Sequence, residues 1–173
     1  MDYETERLRL RAPVASDAAT VFRVYGDPVT NQFNPAGPHA NPHVSERVLQ
    51  GWLDHWRDYG FGIWAVVERA MPERVIGFGG LGWLEKEGLG SVLNLGYRFA
   101  PSAWGRGFAT ELGRGAVEYA RERLDGEALF GLVRGDHEKS IRVLEKLGFA
   151  HFGFLDDVPD AAPSLVLRLP LHR

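Results

Sequence analysis

The run Trp104-Gly105-Arg106-Gly107-Phe108-Ala109-Thr110 combines two glycines, a cation and the opening of a helical pattern, which is the make-up of an anion-binding turn. Glycines at 105 and 107 let consecutive backbone N–H groups converge with no Cβ in the way. The positive end of the following helix adds to the field, and Arg106 can supply a full charge. As a bare Gly-x-Gly, the same residues would serve equally well as a helix N-terminal turn with no ligand. A second glycine-rich run, Gly77-Phe78-Gly79-Gly80-Leu81-Gly82, fits the letters of a dinucleotide-binding fingerprint. That fingerprint requires a helix to begin inside it, and Trp83 to Gly90 has no helical period. The run reads instead as a strand whose small residues let another surface come close.

Other chemistries fall away on residue type and spacing. There is no cysteine, which removes disulfides, thiolate metal sites and a cysteine nucleophile together. His39 and His43 are four apart, but Pro42 lies between them and no Glu follows His39, so they do not make a zinc helix. No Gly-x-Ser-x-Gly elbow occurs, and Asp156-Asp157 reads as a solvated turn. Trp52, Trp56, Trp64 and Trp83 read mainly as core, with room for an aromatic acceptor wall near the first two helices. A net charge of −3, from 20 Lys+Arg against 23 Asp+Glu, lacks the basic field of a nucleic-acid binder and argues against acidic membranes as partners. The first residues hold no apolar h-region, and no stretch approaches the ~20 apolar residues of a membrane span. Residues 1–173 are expected to form one cytoplasmic domain, with 45% hydrophobic and 25% charged residues in ordinary globular balance.

The elements that must position the anion turn follow from periodicity. Arg7 to Arg11 alternates as a strand closed by Pro13, and Ser16-Asp17 starts a helix over Ala18 to Tyr25 that Gly26-Asp27-Pro28 ends. The proline- and asparagine-rich stretch Asn31 to Pro42 reads as a loop. A second helix begins near Ser45, carries Val44, Val48, Leu49, Trp52, Leu53 and Trp56 on one stripe, and stops at Tyr59-Gly60. Phe61 to Val67, Val75 to Trp83 and Val92 to Phe99 read as strands joined by two hairpins. In the last, Leu93, Leu95, Tyr97 and Phe99 share one face, with Asn94 and Arg98 on the other. Gly107 to Arg123 is helical, with Phe108, Leu112, Ala116, Tyr119 and Ala120 buried, and Leu129 to Val133 is a strand. A helix from about Glu138 to Leu147, with Ile141, Leu144 and Leu147 inward, stops at Gly148. Phe149 to Leu155 and Leu165 to Leu171 close the chain as a strand pair. This order implies a mixed α/β sheet, antiparallel first and with a parallel crossover later.

The block Leu95-Gly-Tyr-Arg-Phe-Ala-Pro-Ser-Ala-Trp-Gly-Arg-Gly-Phe-Ala-Thr-Glu111 resembles motif A of the GCN5-related N-acetyltransferases (GNAT). Downstream, Val133-Arg-Gly-Asp-His-Glu-Lys-Ser-Ile-Arg-Val-Leu-Glu-Lys-Leu-Gly-Phe149 resembles their motif B. Thr5-Glu-Arg-Leu-Arg-Leu-Arg-Ala-Pro, followed by Asp17, looks like the start of the RimJ/RimL branch, which acetylates ribosomal-protein N-termini. The resemblance implies a GNAT fold, a mostly antiparallel sheet flanked by helices and splayed, through a bulge, between its fourth and fifth strands. It implies acetyl-CoA as cosubstrate, with no metal. The backbone at Phe99 and Ala100 would pair with the pantetheine arm, and the turn of Gly105, Arg106, Gly107, Phe108, Ala109 and Thr110 would hold the pyrophosphate. Gly107 and Ala109 match the family's turn, while Trp104 stands where Gln or Arg is usual.

In motif B, Ser140 matches the family and His137 replaces its Asn, so His137 either contacts the cofactor or serves as a cap or surface residue. The tyrosine that many relatives use as general acid is here Leu144, which leaves Ser140 as the nearest candidate, unless it only bonds the helix-start backbone. A carboxylate base two residues before the family's Gly-Tyr pair is here Asn94, which cannot take a proton. Glu85, Glu87 and His151 are the other bases topology allows, each more at home on the surface. The implied activity is transfer of acetyl from acetyl-CoA to a primary amine, on a protein N-terminus or a small molecule, by direct attack. The alternatives are an antibiotic- or polyamine-modifying acetyltransferase and a non-catalytic acyl-CoA sensor. The protein is expected as a monomer or homodimer.

Overall fold

Strand Ile63–Glu68 shows how the molecule is layered, because its alternate side chains enter two different cores. Trp64 and Val66 pack with Phe108, Leu112 and Ala116, whereas Ala65 packs with Val21, Val24 and Leu49. The computed structural model describes residues 2–172, so Met1 and Arg173 of the expected 1–173 domain lie outside the described residues. Its strands are β1 (Tyr3–Glu4), β2 (Leu8–Arg11), β3 (Ile63–Glu68), β4 (Val75–Lys86), β5 (Gly90–Phe99), β6 (Ala128–Val133), β7 (Ala150–Leu155) and β8 (Ser164–Pro170). Its helices are α1 (Ala18–Tyr25), α2 (Pro42–Tyr59), α3 (Phe108–Arg123) and α4 (Glu138–Lys146).

The strands form one sheet in the order β1-β2-β3-β4-β5-β6-β8-β7. Every pairing is antiparallel except β5 with β6, which α3 joins as a crossover. Helices α3 and α4 cover one face and α1 and α2 the other. This is the mixed α/β architecture expected. The Gly77–Gly82 run lies inside β4, where a Cβ on Gly79 would stand 2.5 Å from Leu112 of α3, so close helix–sheet packing explains its glycines.

The start of α2 and the presence of β1 differ most from the sequence expectation, while β4 runs on to Lys86 instead of Trp83 and β5 begins at Gly90 instead of Val92. Helix α2 starts three residues early, at Pro42, because Asn41 caps it by accepting the Val44 N–H and Pro42 occupies the first turn, where a missing N–H costs nothing. The short β1 adds an edge strand through Tyr3↔Leu10 pairing, too brief to leave a period in the sequence.

The splay falls between β5 and β6, the fourth and fifth strands once the added β1 is set aside. They register only at Leu93↔Leu129 and Asn94↔Phe130, then separate as β5 runs on to Phe99 and β6 to Val133. No bulge in the β4–β5 ladder accompanies this: its register is unbroken from Gly77↔Phe99 to Lys86↔Gly90. On its other edge β6 is held through six pairs with β8, so the two halves of the sheet diverge as units.

Candidate active site

At the wide end of the split, the chain leaves β5 and builds the anion turn. Gly105 and Gly107 both adopt left-handed backbone, at φ 72° and 77°. Gly107 is the N-cap of α3 and offers no side-chain cap, so the N–H groups of Phe108, Ala109 and Thr110 have no intrahelical acceptor. A Cβ on Gly105 would meet nothing within 4 Å, so the concavity is open. These free donors at the positive end of a 16-residue helix fit a pyrophosphate.

The cation beside this turn is not the one expected. The Arg106 guanidinium bonds both oxygens of the buried Glu68, at 3.0 and 2.5 Å, so its charge is already paired; Arg106 offers the turn its backbone. Arg7 takes the place beside the turn. It donates to the Arg106 carbonyl and to Glu111, and its Nη2 would stand 3.5 Å from a Cβ on Gly107. Both guanidinium groups lie 4.6 Å from the centre of the Phe108 ring. Burial works against Glu111 ionising, but bonds from the Thr5 hydroxyl, the Arg7 amide and the Arg7 side chain outweigh it and hold the carboxyl below its ordinary range.

Along β5 the backbone groups alternate between neighbours. The Ala100 N–H bonds Ile76, and the Ala100 carbonyl accepts from the Ala103 N–H with its second lone pair free, so of the two residues expected to pair with a pantetheine arm Ala100 offers an acceptor alone. Strand alternation then turns Phe99 and Tyr97 toward the split. The Phe99 carbonyl accepts the Trp104 indole N–H at 3.0 Å, leaving the Phe99 N–H facing the split. Across the same gap the Tyr97 hydroxyl and Ser140 Oγ share a hydrogen bond of 3.0 Å, tying β5 to α4. Burial raises the Tyr97 pKa and the Ser140 bond offsets part of that, so the phenol keeps its proton at neutral pH. Leu144 is buried against Gly131 and serves as core.

The opposite face of β5 carries Arg98, which donates to Asn31 Oδ1 at 2.5 Å and lies 4.7 Å from the Tyr25 ring centre. His39 stacks on Tyr25 and bonds Ser45 through Nδ1 at 2.7 Å, and Trp52 meets Tyr25 edge-on, an aromatic cluster beside the first two helices. Of the remaining tryptophans, Trp64 is core and Trp83 is 41% exposed. His137 makes no side-chain cap at α4; its ring stacks on Phe33 at 4.1 Å, so the loop before α2 reaches α4. Burial lowers the pKa of both His39 and His137, and Arg98 adds to the shift in each; at His137 Lys139 also lowers it and Asp136 opposes.

The remaining candidate bases lie elsewhere. Glu85 pairs with Ser91, eight residues and about 27 Å along β5 from Phe99, and Glu87 sits in the turn beyond. His151 is exposed on β7, three strands from β5. Asp157 is no solvated turn: it accepts from Ser164 Oγ and pairs with Lys86, pinning the loop between β7 and β8. Arg7, Tyr97 and the Tyr25–Asn31–His39 group were not singled out from sequence as site residues. Period-two alternation marks Arg7 and Tyr97 only as strand positions.

A family model for an acetyltransferase (GNAT) domain matches residues 7–150. The chain therefore belongs to the GNAT acetyltransferases, as the resemblance implied. An uncharacterized N-acetyltransferase, p20, from Bacillus licheniformis is 25% identical over 162 residues, covering 94% of this chain and 89% of that protein. Among solved structures, spermidine N-acetyltransferase from Vibrio cholerae, in complex with CoA and spermine, superposes with a TM-score of 0.76 at 18% identity over 96% of this chain and 97% of that one. Ribosomal-protein-S5-alanine acetyltransferase from Vibrio fischeri gives the same TM-score, 0.76, at 17% identity over 98% of this chain and 96% of that one. Equal likeness to a spermidine enzyme and a ribosomal-protein enzyme establishes the fold and leaves the acceptor to the site's own chemistry.

Proposed function

We propose that the protein is an N-acetyltransferase that moves the acetyl group of acetyl-CoA to a primary amine by direct attack in a ternary complex, working in the cytoplasm as a single domain. The observation that carries this reading is the uncapped N-terminus of α3, with left-handed Gly105 and Gly107, at the wide end of the β5–β6 split. In this reading the amides of residues 105–110 take the pyrophosphate, and the free strand edge at Tyr97 and Phe99 aligns the pantetheine arm in the split. The Phe99 N–H meets the charge that develops on the thioester oxygen as the amine nitrogen bonds to its carbon. When the carbon–sulfur bond breaks, Ser140 gives the sulfur a proton, the Tyr97 hydroxyl replaces it through their shared hydrogen bond, and Tyr97 regains a proton from solvent as CoA leaves. The amine's own proton leaves toward His39 or His137, both favoured in the neutral form. An α-amine, with pKa near ~8 against ~10.4 for lysine, needs the least help.

Calorimetric titration with acetyl-CoA tests the reading, with saturable 1:1 binding as the expected result. Absence of binding at high micromolar acetyl-CoA would overturn it. Thiol release across a panel of amines then separates turnover from mere cofactor binding, and zero turnover with every amine leaves a sensor.

A further inference from the structure

Resting on that reading, we infer that the acceptor amine carries a carboxylate, and that Arg98 binds it. Arg98 stands on β5 between Tyr97 and Phe99, the residues assigned to the thioester, and alternation sends its side chain to the α1/α2 face. Among the described residues it makes no salt bridge, and its one hydrogen bond is to the neutral Asn31. Asn31 is itself fixed: its Nδ2 donates to the Tyr25 and Asp27 carbonyls, which aims Oδ1 at Arg98. The guanidinium is therefore positioned from one side and stacked on Tyr25 from another, with its remaining N–H groups unbonded. None of its nitrogens is buried without a partner, so those N–H groups face space that solvent reaches.

The surroundings are neutral. Tyr25, whose pKa burial pushes up to about 12 against the pull of Arg98, stays a phenol. On the same face of β5, Gly96 separates Arg98 from Asn94 and leaves a gap in the row of side chains, with the Asn94 amide on its far side. A fixed, half-buried cation with a free fork of donors and no acidic neighbour is complementary to a carboxylate. It repels a polyamine or aminoglycoside at the same place. The opposite face is bridged by the Tyr97–Ser140 bond, which leaves the Arg98 face for the incoming amine.

The test compares amino acids with their amides at equal free-amine concentration, so that the carboxylate is the difference read, together with spermidine and with peptides that begin in Asp or Ala. Binding is read by calorimetry on the protein without acetyl-CoA, and turnover by thiol release. The wild type is expected to favour an amino acid over its amide by about tenfold or more in Kd and KM. Arg98→Gln should erase that preference while leaving acetyl-CoA affinity unchanged, and Arg98→Lys should restore part of it. Preference for free amino acids points to an α-carboxylate, whereas preference for the Asp-initiated peptide points to a side-chain carboxylate. Equal handling of acid and amide by the wild type, or tighter binding of spermidine, overturns the inference whether or not Arg98→Gln folds. If acetyl-CoA does not bind but the acid-over-amide preference persists and needs Arg98, the carboxylate site stands and the acetyltransferase reading falls.

Discussion

The hydrogen bond between Tyr97 and Ser140 ties β5 to α4 across the strand split, and the proposed mechanism uses this pair to give the leaving sulfur its proton. A lone serine is a poor acid, and a phenol behind it gives the relay a proton source that burial keeps loaded. Ser140→Ala is expected to lower kcat about 10- to 100-fold with little change in KM for acetyl-CoA, since a thiolate leaves readily. Tyr97→Phe should lower it to a similar degree, and the double variant should be no worse than the worse single one if the pair acts as a unit. Single-turnover thiol release measures this. Full activity in Ser140→Ala removes the role.

At the scale of elements, the anion turn depends on two backbones that only glycine adopts without strain, at 105 and 107. They are not equivalent. A Cβ on Gly105 enters open space, so Gly105→Ala carries only the left-handed penalty of about 1–2 kcal/mol, and acetyl-CoA affinity falls modestly. Gly107 lies at the mouth of the helix beside Arg7, so Gly107→Trp places a ring over the free N–H groups and should abolish acetyl-CoA binding in calorimetry while the protein still melts cooperatively. Unchanged affinity in that variant takes the pyrophosphate away from this turn.

Across the whole molecule, the shifted groups define a pH window. Burial disfavours the Asp17 carboxylate, but the bidentate Arg11 pair and the Val14 N–H outweigh it, so its folded pKa is depressed, like that of Glu111. Groups with depressed folded values contribute stability above their unfolded pKa and lose it as pH falls through the folded one. His39 and His137 follow the same sign from about pH 6.5 downward, and the two carboxyls from about pH 4. Tyr25 and Tyr97 are raised, so their contribution is present below about pH 10 and lost above it. The thermal midpoint should therefore be flat between roughly pH 7 and 9, falling on either side. Asp17, with a side chain 7% exposed, contributes to the acid limb: Asp17→Asn should cost about 2–4 kcal/mol at pH 7 and reduce the loss between pH 5 and 2. An unaltered acid limb in that variant contradicts the assignment.

What could be read from the chain alone is what depends on local period and on backbone permissiveness. Helix α1 over Ala18–Tyr25, the stop at Gly60, the buried stripe of α3 and the turn at Gly105–Gly107 all carry their cause within a few residues, and they stand where the periodicity puts them. Motif order likewise identified the family and the mixed sheet. The identity of each charge's partner could not be read this way. Arg106 looked free until Glu68, 38 residues away, bonded both its terminal nitrogens, and Arg7 reached the turn from across 99 residues of chain. Tyr97 met Ser140, 43 residues on, only because β5 and β6 separate after two registered pairs. Ion pairs and hydrogen bonds are decided by distances of a few ångströms between residues far apart in sequence, and pattern along one dimension has no access to them. The same limit kept Arg98 as one more position on a strand until the sheet placed it, unpaired, against Tyr25 and Asn31.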